Sequence, residues 1–263
     1  MLKLRVLLIL VLFTHFSCFS SAKKINPYAF YENSNQDEKI HLIGLKIGKF
    51  DMFIERARNG RETVSSIAKR VEADIAINAG FFHEDGTPAG LLKINGDVVS
   101  CGQKKNRGAL MWSGDKVLAD RVYCQGNTLV SDLGTLPNEF QNMVGGVPLI
   151  LFEGEGVVDN KVEKAYPSFI EGKHARTAIG VAKDRLWVLI VEGSSAIEKK
   201  KGIRKGYSIR ELEGIFREKN CDYAVNLDGG GSTTLVIDGK VVNGLEKERP
   251  VSEAIIFKRK ANH

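Results

Sequence analysis

Short apolar runs recur along the chain, and residues that favour a tight turn separate neighbouring runs. Asn95-Gly96 and Asp238-Gly239 stand between such runs, and Gly114 does so with a polar residue on each side. Asn-Gly and Asp-Gly pairs favour positive φ and match the twist of paired antiparallel strands. The pattern therefore predicts a mostly antiparallel sheet with several hairpins.

Only a few segments have apolar residues at the spacing of a helix. Val64, Ile67 and Val71 recur at the spacing of one helix face. Ser208 and Glu211 are spaced to form a capping box, in which the serine hydroxyl accepts from a helical amide and the glutamate returns to the serine amide. Few helices among many hairpins indicate an α+β fold with a few packed helices.

The first 22 residues have the pattern of a secretory signal peptide. Lys3 and Arg5 precede an unbroken apolar run over residues 6–13, and small side chains follow at the expected cleavage site. The run is far shorter than the roughly 20 residues that span a bilayer. No later run approaches that length, so no transmembrane segment is predicted.

Cleavage of this segment predicts an exported protein that is periplasmic, at the cell surface or secreted. Lipid attachment at Cys18 is the alternative, but residues 15–17 match a lipoprotein signal poorly, so simple cleavage is favoured. Residues 23–39 are polar and without periodicity, and they are expected to form a leader. Residues 40–263 show no linker or internal repeat and are expected to form one domain.

The composition is that of a globular protein, with 43% hydrophobic and 27% charged residues among 263. Loss of Lys3 and Arg5 with the signal peptide takes the formal net charge from +6 to +4. This mildly basic balance suits an anionic small substrate or an anionic envelope glycan. Basic and acidic residues are interspersed rather than arranged in blocks, so nucleic acid is not indicated. Oligomeric state is not specified by any pattern.

Several catalytic motifs are missing from the sequence. It contains no nucleophile elbow, phosphate-binding loop, His-Glu-x-x-His motif or dinucleotide fingerprint. With five histidines in all, a multi-histidine metal centre is hard to assemble. No cofactor or metal is therefore predicted; a divalent cation near Asp228 is compatible with the sequence but not required by it.

Three cysteines follow the signal peptide. In an exported protein Cys101 and Cys124 are candidates for a disulfide across adjacent strands, which would leave Cys221 buried and free. The sequence does not decide whether the two are bridged.

The segment around Asp228 is the strongest candidate for a binding site. Strand geometry places Asn226 and Asp228 on one face, and residues 229–231 are three glycines whose amides can surround an anion. Ser232 and Thr233 add hydroxyl groups at the rim. A triple glycine can equally be a bend between two strands, with Asp228 capping it.

Three other segments carry candidate chemistry. Arg176 can bind a phosphate bidentately, and His174 lies on the same side of its strand and can transfer a proton; a surface charge pair at a strand end is the plainer interpretation. Asn78, beside Gly80, can bind a sugar hydroxyl. Glu192 ends an apolar strand, where partial desolvation would raise its pKa and suit a general acid, although a solvated turn residue has the same pattern.

Five blocks of sequence, taken in order, resemble the phosphodiester glycosidase family. They are residues 78–82, 145–148, 174–180, 226–234 and 249–254. The resemblance extends from about residue 40 to residue 257. Two departures are visible: Ala175 stands where the family commonly has proline, and Glu192-Gly193-Ser194 replaces a more usual Asp-Gly-Arg, so the arginine of that motif is absent here.

The resemblance implies hydrolysis of the bond between a sugar anomeric carbon and a phosphodiester such as N-acetylglucosamine-1-phosphodiester. It implies Asp228 as nucleophile or base, with Glu192 or His174 as its proton-handling partner. The positions it implies for substrate binding are Asn78, Gly80, Arg176, Thr177, Asn226, Gly229, Gly230, Gly231, Ser232 and Thr233. Of these, Arg176 and the glycine amides would support the phosphate, and Asn78 and Asn226 would hold sugar hydroxyls.

Two other functions remain open from the sequence. A non-catalytic protein that binds an anionic polysaccharide would use the same cleft, and the missing arginine after Glu192 favours it. The other hypothesis is cleavage at phosphorus by a metal-dependent phosphodiesterase.

Overall fold

The computed structural model describes residues 21–26, 29–33, 39–102, 106–126, 128–244 and 247–261. Its strands are β1 (Ser21–Asn26), β2 (Ala29–Asn33), β3 (Ile40–Lys46), β4 (Phe50–Arg56), β5 (Ile75–Asn78), β6 (Leu91–Ile94), β7 (Asp97–Cys101), β8 (Arg107–Ser113), β9 (Lys116–Gln125), β10 (Thr128–Ser131), β11 (Asn142–Gly145), β12 (Leu149–Phe152), β13 (Glu155–Gly156), β14 (Arg176–Ala182), β15 (Arg185–Val191), β16 (Tyr223–Asn226), β17 (Leu235–Ile237), β18 (Lys240–Val241) and β19 (Glu253–Arg259). Its α-helices are α1 (Val64–Arg70), α2 (Pro167–Glu171), α3 (Ala196–Lys200) and α4 (Ile209–Glu218).

The strands form three sheets. An eight-stranded sheet has the order β1-β2-β3-β15-β14-β16-β12-β13, a six-stranded sheet the order β10-β9-β8-β11-β6-β7, and a five-stranded sheet the order β18-β17-β5-β19-β4. The neighbouring strands pair antiparallel, as in β14 with β15 and β5 with β19. The predicted α+β class with a mostly antiparallel sheet is confirmed.

The predicted hairpin turns adopt the backbone conformation that their residues favour. Asn95 and Gly96 have φ of 50° and 95°, and Asp238 and Gly239 have φ of 48° and 74°. These turns join β6 to β7 and β17 to β18 in antiparallel register. Positive φ at both central positions matches the strand twist.

One hydrophobic core is shared by all three sheets. It contains Ile77 from β5, Leu110 from β8 and Ile179 from β14, all fully buried. Helix α4 packs Leu212 and Phe216 into a second cluster against the eight-stranded sheet. The sheets are thus held in fixed positions relative to one another, which matters because the candidate site is built from more than one of them.

Helix α4 begins as its sequence predicts. The Ser208 hydroxyl accepts from the Glu211 amide, and the Glu211 carboxylate accepts from the Ser208 amide. The helix is followed by Asn220 at φ 53°, the left-handed conformation that asparagine tolerates. The strand β16 then leads directly to Asp228.

The expectation of a leader without regular structure between residues 23 and 39 is wrong for two stretches. Strands β1 and β2 pair with each other, and β2 pairs with β3 at the edge of the eight-stranded sheet. An edge strand needs backbone hydrogen bonds but little apolar sequence, so hydrophobic periodicity does not reveal it. Residues 1–20 of the predicted signal peptide lie outside the described residues, and no helix among the described residues is long and apolar enough to cross a membrane.

The disulfide between Cys101 and Cys124 is confirmed, with a Cα–Cα distance of 5.6 Å. The expectation that it joins adjacent strands is wrong, because β6, β11 and β8 lie between β7 and β9 in the sheet order. At about 4.8 Å per strand, a flat sheet would hold these strands roughly 19 Å apart. The six-stranded sheet must therefore curl strongly, and the disulfide closes the curl.

Cys221 is buried and free, as predicted. Burial raises the pKa of its thiol to about 12. A thiol in this state carries no thiolate at neutral pH and is chemically inert.

Replacing both Cys101 and Cys124 by serine is expected to lower the free energy of unfolding by roughly 3 kcal/mol, because the cross-link restricts the unfolded chain. Urea unfolding with and without dithiothreitol measures this. The reductant should destabilise the wild type to the level of the double variant and leave the double variant unchanged. Equal stability of the oxidised wild type and the variant would contradict the prediction.

Candidate active site

A cleft of about 750 Å³ opens at one end of the eight-stranded sheet. Its walls include His174 and Ala175 before β14, Glu192 after β15, and the loop after β16. Since β14 pairs antiparallel with both β15 and β16, the start of β14 lies beside the ends of its two neighbours. The topology therefore brings together segments that are far apart along the chain.

Asn78 ties this end of the sheet to the five-stranded sheet. Its side-chain amide donates to the Asp228 carbonyl at 2.7 Å, and its carbonyl oxygen accepts from Thr177 Oγ1 at 2.8 Å and from the Thr234 amide at 3.1 Å. The Asp228 amide donates to the Ala79 carbonyl at 3.2 Å. Asn78 and Thr177, predicted to touch substrate, instead fix the backbone on either side of Asp228.

The glycines after Asp228 allow a close approach to β14. A Cβ on Gly229 would lie 2.6 Å from the Ala175 carbonyl oxygen, too close for any other residue. The Gly229 amide donates to Asp228 Oδ1 at 2.9 Å and the Gly230 amide donates to the Ala175 carbonyl at 2.9 Å. These two amides are already used, so the expectation that they cradle an anion does not hold in this structure, although Gly230 and Gly231 do line the cleft.

Arg176 lies beneath the cleft rather than in its lining. It is 1% exposed, and its guanidinium donates to the carbonyls of Tyr207, Phe169 and Gly172. Burial lowers its pKa to about 10, so it stays protonated at neutral pH. The predicted bidentate contact to phosphate is not available in this arrangement, because the guanidinium holds α2 and the segment before α4 in place.

Glu192 and His174 both line the cleft. Glu192 Oε1 is 2.7 Å from His41 Nε2 and accepts from the Gly244 amide at 2.7 Å. Burial by itself would raise the pKa of Glu192, but these bonds outweigh it and lower the pKa. The expected raised pKa is therefore wrong, and Glu192 is a carboxylate at neutral pH. His174 is exposed, and its Nε2 is 3.2 Å from the Ser168 carbonyl.

Asn226 has a mainly structural position. Its side-chain amide donates to the Val147 carbonyl at 2.7 Å and to the Leu227 carbonyl at 2.9 Å. Its Oδ1 is buried without a hydrogen-bond partner among the described residues, and so is the Thr233 hydroxyl. Of these two, only Thr233 lines the cleft, where a ligand can supply the missing partner.

Asp228 has a second carboxyl group near it, which the sequence did not reveal as a site residue. Ala79 links the backbones of the two acids. Its amide donates to the Glu253 carbonyl, and its carbonyl accepts from the Asp228 amide. Glu253 is 2% exposed, and its Oε1 would lie 3.3 Å from a Cβ on Gly80. Gly80 thus leaves room for the carboxyl group, a different role from the predicted contact with substrate. The signal visible in the sequence was an acid directly before the apolar run of residues 254–257.

Burial raises the pKa of both carboxyl groups. Burial, reinforced by the negative charge of Asp228, raises the pKa of Glu253 to about 7 against the hydrogen bonds it accepts. Burial also raises the pKa of Asp228, while the nearby Ser232 hydroxyl and the charge of Arg249 partly offset it. Ser232 Oγ is close enough for this effect but lacks hydrogen-bond geometry to a described residue.

Arg249 is the second residue near Asp228 to which the sequence pattern assigned no role. It is exposed, its guanidinium lies 5.1 Å from the centroid of the Phe82 ring, and its Cδ would be 3.5 Å from a Cβ on Gly231. Its positive charge acts on Asp228. Arg249 thus offers next to Asp228 the exposed guanidinium that was predicted at Arg176.

Within the described ranges, no group of three or more His, Cys, Asp or Glu side chains is arranged to hold a metal ion.

The phosphodiester glycosidase family model matches residues 72–258. The N-acetylglucosamine-1-phosphodiester alpha-N-acetylglucosaminidase of Bos taurus is 25% identical over 199 residues, which are 71% of this chain and 35% of that protein. The prophage-derived protein YomE of Bacillus subtilis is 27% identical over 205 residues, 74% of this chain and 29% of that protein. The chain thus spans about a third of the length of these curated relatives.

A solved structure has the same fold. The catalytic domain of the zebrafish N-acetylglucosamine-1-phosphodiester alpha-N-acetylglucosaminidase, auto-inhibited by its pro-peptide, superposes with a TM-score of 0.68 at 20% identity. The match covers 92% of this chain and 87% of that one. Since the family model covers well over half of the sequence, the chain belongs to the phosphodiester glycosidase family.

Proposed function

We propose that this protein hydrolyses the bond between a sugar anomeric carbon and a phosphodiester, releasing free sugar and a phosphomonoester. A substrate resembling N-acetylglucosamine-1-phosphodiester is favoured by the names of the relatives. The observation that carries the proposal is the position of Asp228, partly buried beside a second carboxyl group and directly before the loop that lines a basic cleft.

The phosphate requires stabilisation of negative charge more than a strong proton donor, because the departing phosphomonoester is a weak base. Arg249 and the unpartnered Thr233 hydroxyl are the groups next to the glycine loop that suit this task. Arg176 would act through position only, by holding His174 and the neighbouring backbone at the cleft.

The anomeric carbon requires a carboxylate that stabilises positive charge and delivers a nucleophile. Asp228 fills this role as nucleophile or base. Glu253 keeps its proton up to about pH 7, so below that pH it adds no negative charge beside Asp228. Glu192 adds a negative charge at the cleft wall, and His174, which also lines the cleft, is our candidate for exchanging a proton with the leaving group.

Action outside the cytoplasm, on envelope or exopolysaccharide glycans, is the setting we propose. The signal-like first 22 residues support it, and the Cys101–Cys124 disulfide supports an oxidising compartment.

The primary test is the incubation of purified protein with N-acetylglucosamine-1-phosphate methyl ester in heavy-oxygen water. We expect the label in the sugar, since the bond to carbon breaks. Label in the phosphate would show cleavage at phosphorus instead. Binding without turnover would favour the rival function, a non-catalytic protein for anionic polysaccharide.

Asp228→Asn is expected to lower kcat by about 10³-fold or more, because the amide can neither attack carbon nor accept a proton. Released sugar is the measurement, and thermal unfolding verifies that the variant folds. Equal rates for the folded variant and the wild type would remove Asp228 from the mechanism.

Glu253→Gln is expected to alter the pH dependence of stability. Because the pKa of Glu253 rises from 4.5 in the unfolded chain to about 7 in the fold, the wild type loses up to about 3 kcal/mol between these pH values as pH rises. The glutamine variant lacks this loss, so it should gain stability relative to the wild type over that window in urea titrations.

Glu62→Gln serves as the control for that experiment. Hydrogen bonds from Arg70, Ser66 and Arg58 outweigh burial and lower the pKa of Glu62 to about 2. Its contribution is therefore present above pH 4.5 and lost only below it, so the stability difference between Glu62→Gln and wild type should stay constant between pH 5 and pH 8. A similarly constant difference for Glu253→Gln would contradict the assigned charge state.

Arg176→Lys and Arg249→Lys should have opposite effects. Lysine at 176 cannot serve three carbonyls, so we expect a loss of about 2–4 kcal/mol in unfolding free energy. Lysine at the exposed position 249 should leave stability unchanged and lower kcat/KM by about tenfold through loss of planar phosphate contacts. Unfolding titrations and kinetics on both variants test this. A large loss of activity without destabilisation in Arg176→Lys would show that Arg176 contacts the substrate.

A further inference from the structure

The segment between β15 and α4 forms a strongly basic wall of the cleft. It contains α3, which is fixed by a capping box between Ser195 and Glu198. Lys199, Arg204 and Lys205 of this segment line the cleft. Lys199 and Arg204 are exposed, and Arg204 Nη1 donates to the Lys199 carbonyl at 3.2 Å, which holds the two residues together.

The acidic groups of the cleft do not neutralise this wall. Its two carboxylates, Glu192 and Glu198, each have a partner at 2.7 Å, in His41 and Lys205 respectively. Lys173 at the rim also has an acidic neighbour, at 3.8 Å in Glu211.

Four other cations of the lining, Lys39, Lys199, Arg204 and Lys247, have no carboxylate within 4.0 Å in the described parts of the chain. The charge of Lys39 acts on Glu192, so Lys199, Arg204 and Lys247 are the cations left for a ligand. A simple sugar phosphodiester carries one negative charge, and Arg249 already stands beside Asp228 for it. Cations gathered in one concave wall repel one another and focus a positive potential, which an anionic ligand relieves.

We infer that the leaving group of the substrate carries a second phosphodiester, which Lys199 and Arg204 bind. The preferred substrate is then a polyanionic glycan with repeated sugar phosphate units rather than a sugar phosphate joined to a neutral alcohol. The cleft volume of about 750 Å³ lies in the upper part of the usual range for ligand pockets, roughly 300–1,000 Å³. This inference rests on the proposed function.

The test compares two synthetic substrates. Both contain N-acetylglucosamine-1-phosphate; one is esterified to methanol, and the other to a glycerol that carries a second phosphodiester. We expect wild-type kcat/KM to be about tenfold higher for the second substrate at low NaCl, and the ratio to fall toward one at high NaCl because salt screens exposed charges.

Two double variants distinguish the effect of the cations that line the cleft from the effect of the net charge of the protein. Lys199→Gln with Arg204→Gln should reduce the ratio of the two kcat/KM values to about one. The matched control, Lys200→Gln with Lys201→Gln, removes two exposed lysines of the same segment that do not line the cleft, and it should keep the wild-type ratio. Equal kcat/KM for both substrates in the wild type, or an unchanged ratio in the first double variant, would overturn the inference.

Failure of the proposed function gives a different result. If the wild type hydrolyses neither substrate, equilibrium binding of the same two compounds decides the inference. About tenfold tighter binding of the compound with two phosphodiesters, lost in the first double variant and kept in the control, supports it. Equal binding of both compounds overturns it.

Discussion

The buried side chain of Asn78 is the contact on which the geometry of the candidate site depends. One amide group joins the end of β5, the start of β14 and the loop after β16, so it connects two sheets at a single point. The hydrogen bonds of the Asn78 side chain go to the Thr177 hydroxyl and to backbone groups. Loss of any of them would leave a buried polar group without a partner, which lowers the free energy of unfolding. The backbone of Asp228 is held from both sides, by Asn78 and by Ala79, before any ligand arrives. A carboxylate that must meet a sugar carbon within a narrow range of geometry benefits from such preorganisation.

The arginines and acids of the site divide into supporting and exposed groups. Arg176 is buried and serves backbone carbonyls, while Arg249 is exposed beside Asp228. Glu192 is held ionised by His41 and Gly244, while burial keeps Glu253 protonated into the neutral range. Residue type by itself does not distinguish these roles, since each pair is chemically alike. The partners that the fold supplies determine which group is charged and which is free to meet a ligand.

Features set by local chemistry could be predicted from the sequence. The turn at Asn95-Gly96, the cap of α4 and the disulfide between Cys101 and Cys124 all follow from neighbouring residues or from residue type. Features set by distant partners could not. The edge strands β1 and β2 depend on an open edge of β3, and the curl that brings Cys101 to Cys124 depends on the whole six-stranded sheet.

The same division applies to the candidate site. The importance of the segment around Asp228 was visible in its spacing and in the family resemblance, because close backbone approach requires glycine. The Gly230 amide is occupied by the Ala175 carbonyl just before β14, and the electrostatic effect of Asp228 on Glu253 depends on the position of β19; both partners are far away in sequence. The sequence could therefore indicate which segments meet, but not which of their polar groups remain free after they meet.

Because the buried acids lie apart from the exposed cations, ionic strength and pH act on different parts of the site. Asp228 and Glu253 are screened little by salt because they are largely withdrawn from water, whereas Lys199 and Arg204 face solvent. Ionic strength should then act mainly on capture of the anionic glycan that we propose as substrate, and pH mainly on the charge state of the two acids. The response to ionic strength involves the segment around α3, and the response to pH involves the region where β5 pairs with β19. The proposed binding of the glycan and the proposed chemistry at the sugar can therefore vary independently in this fold.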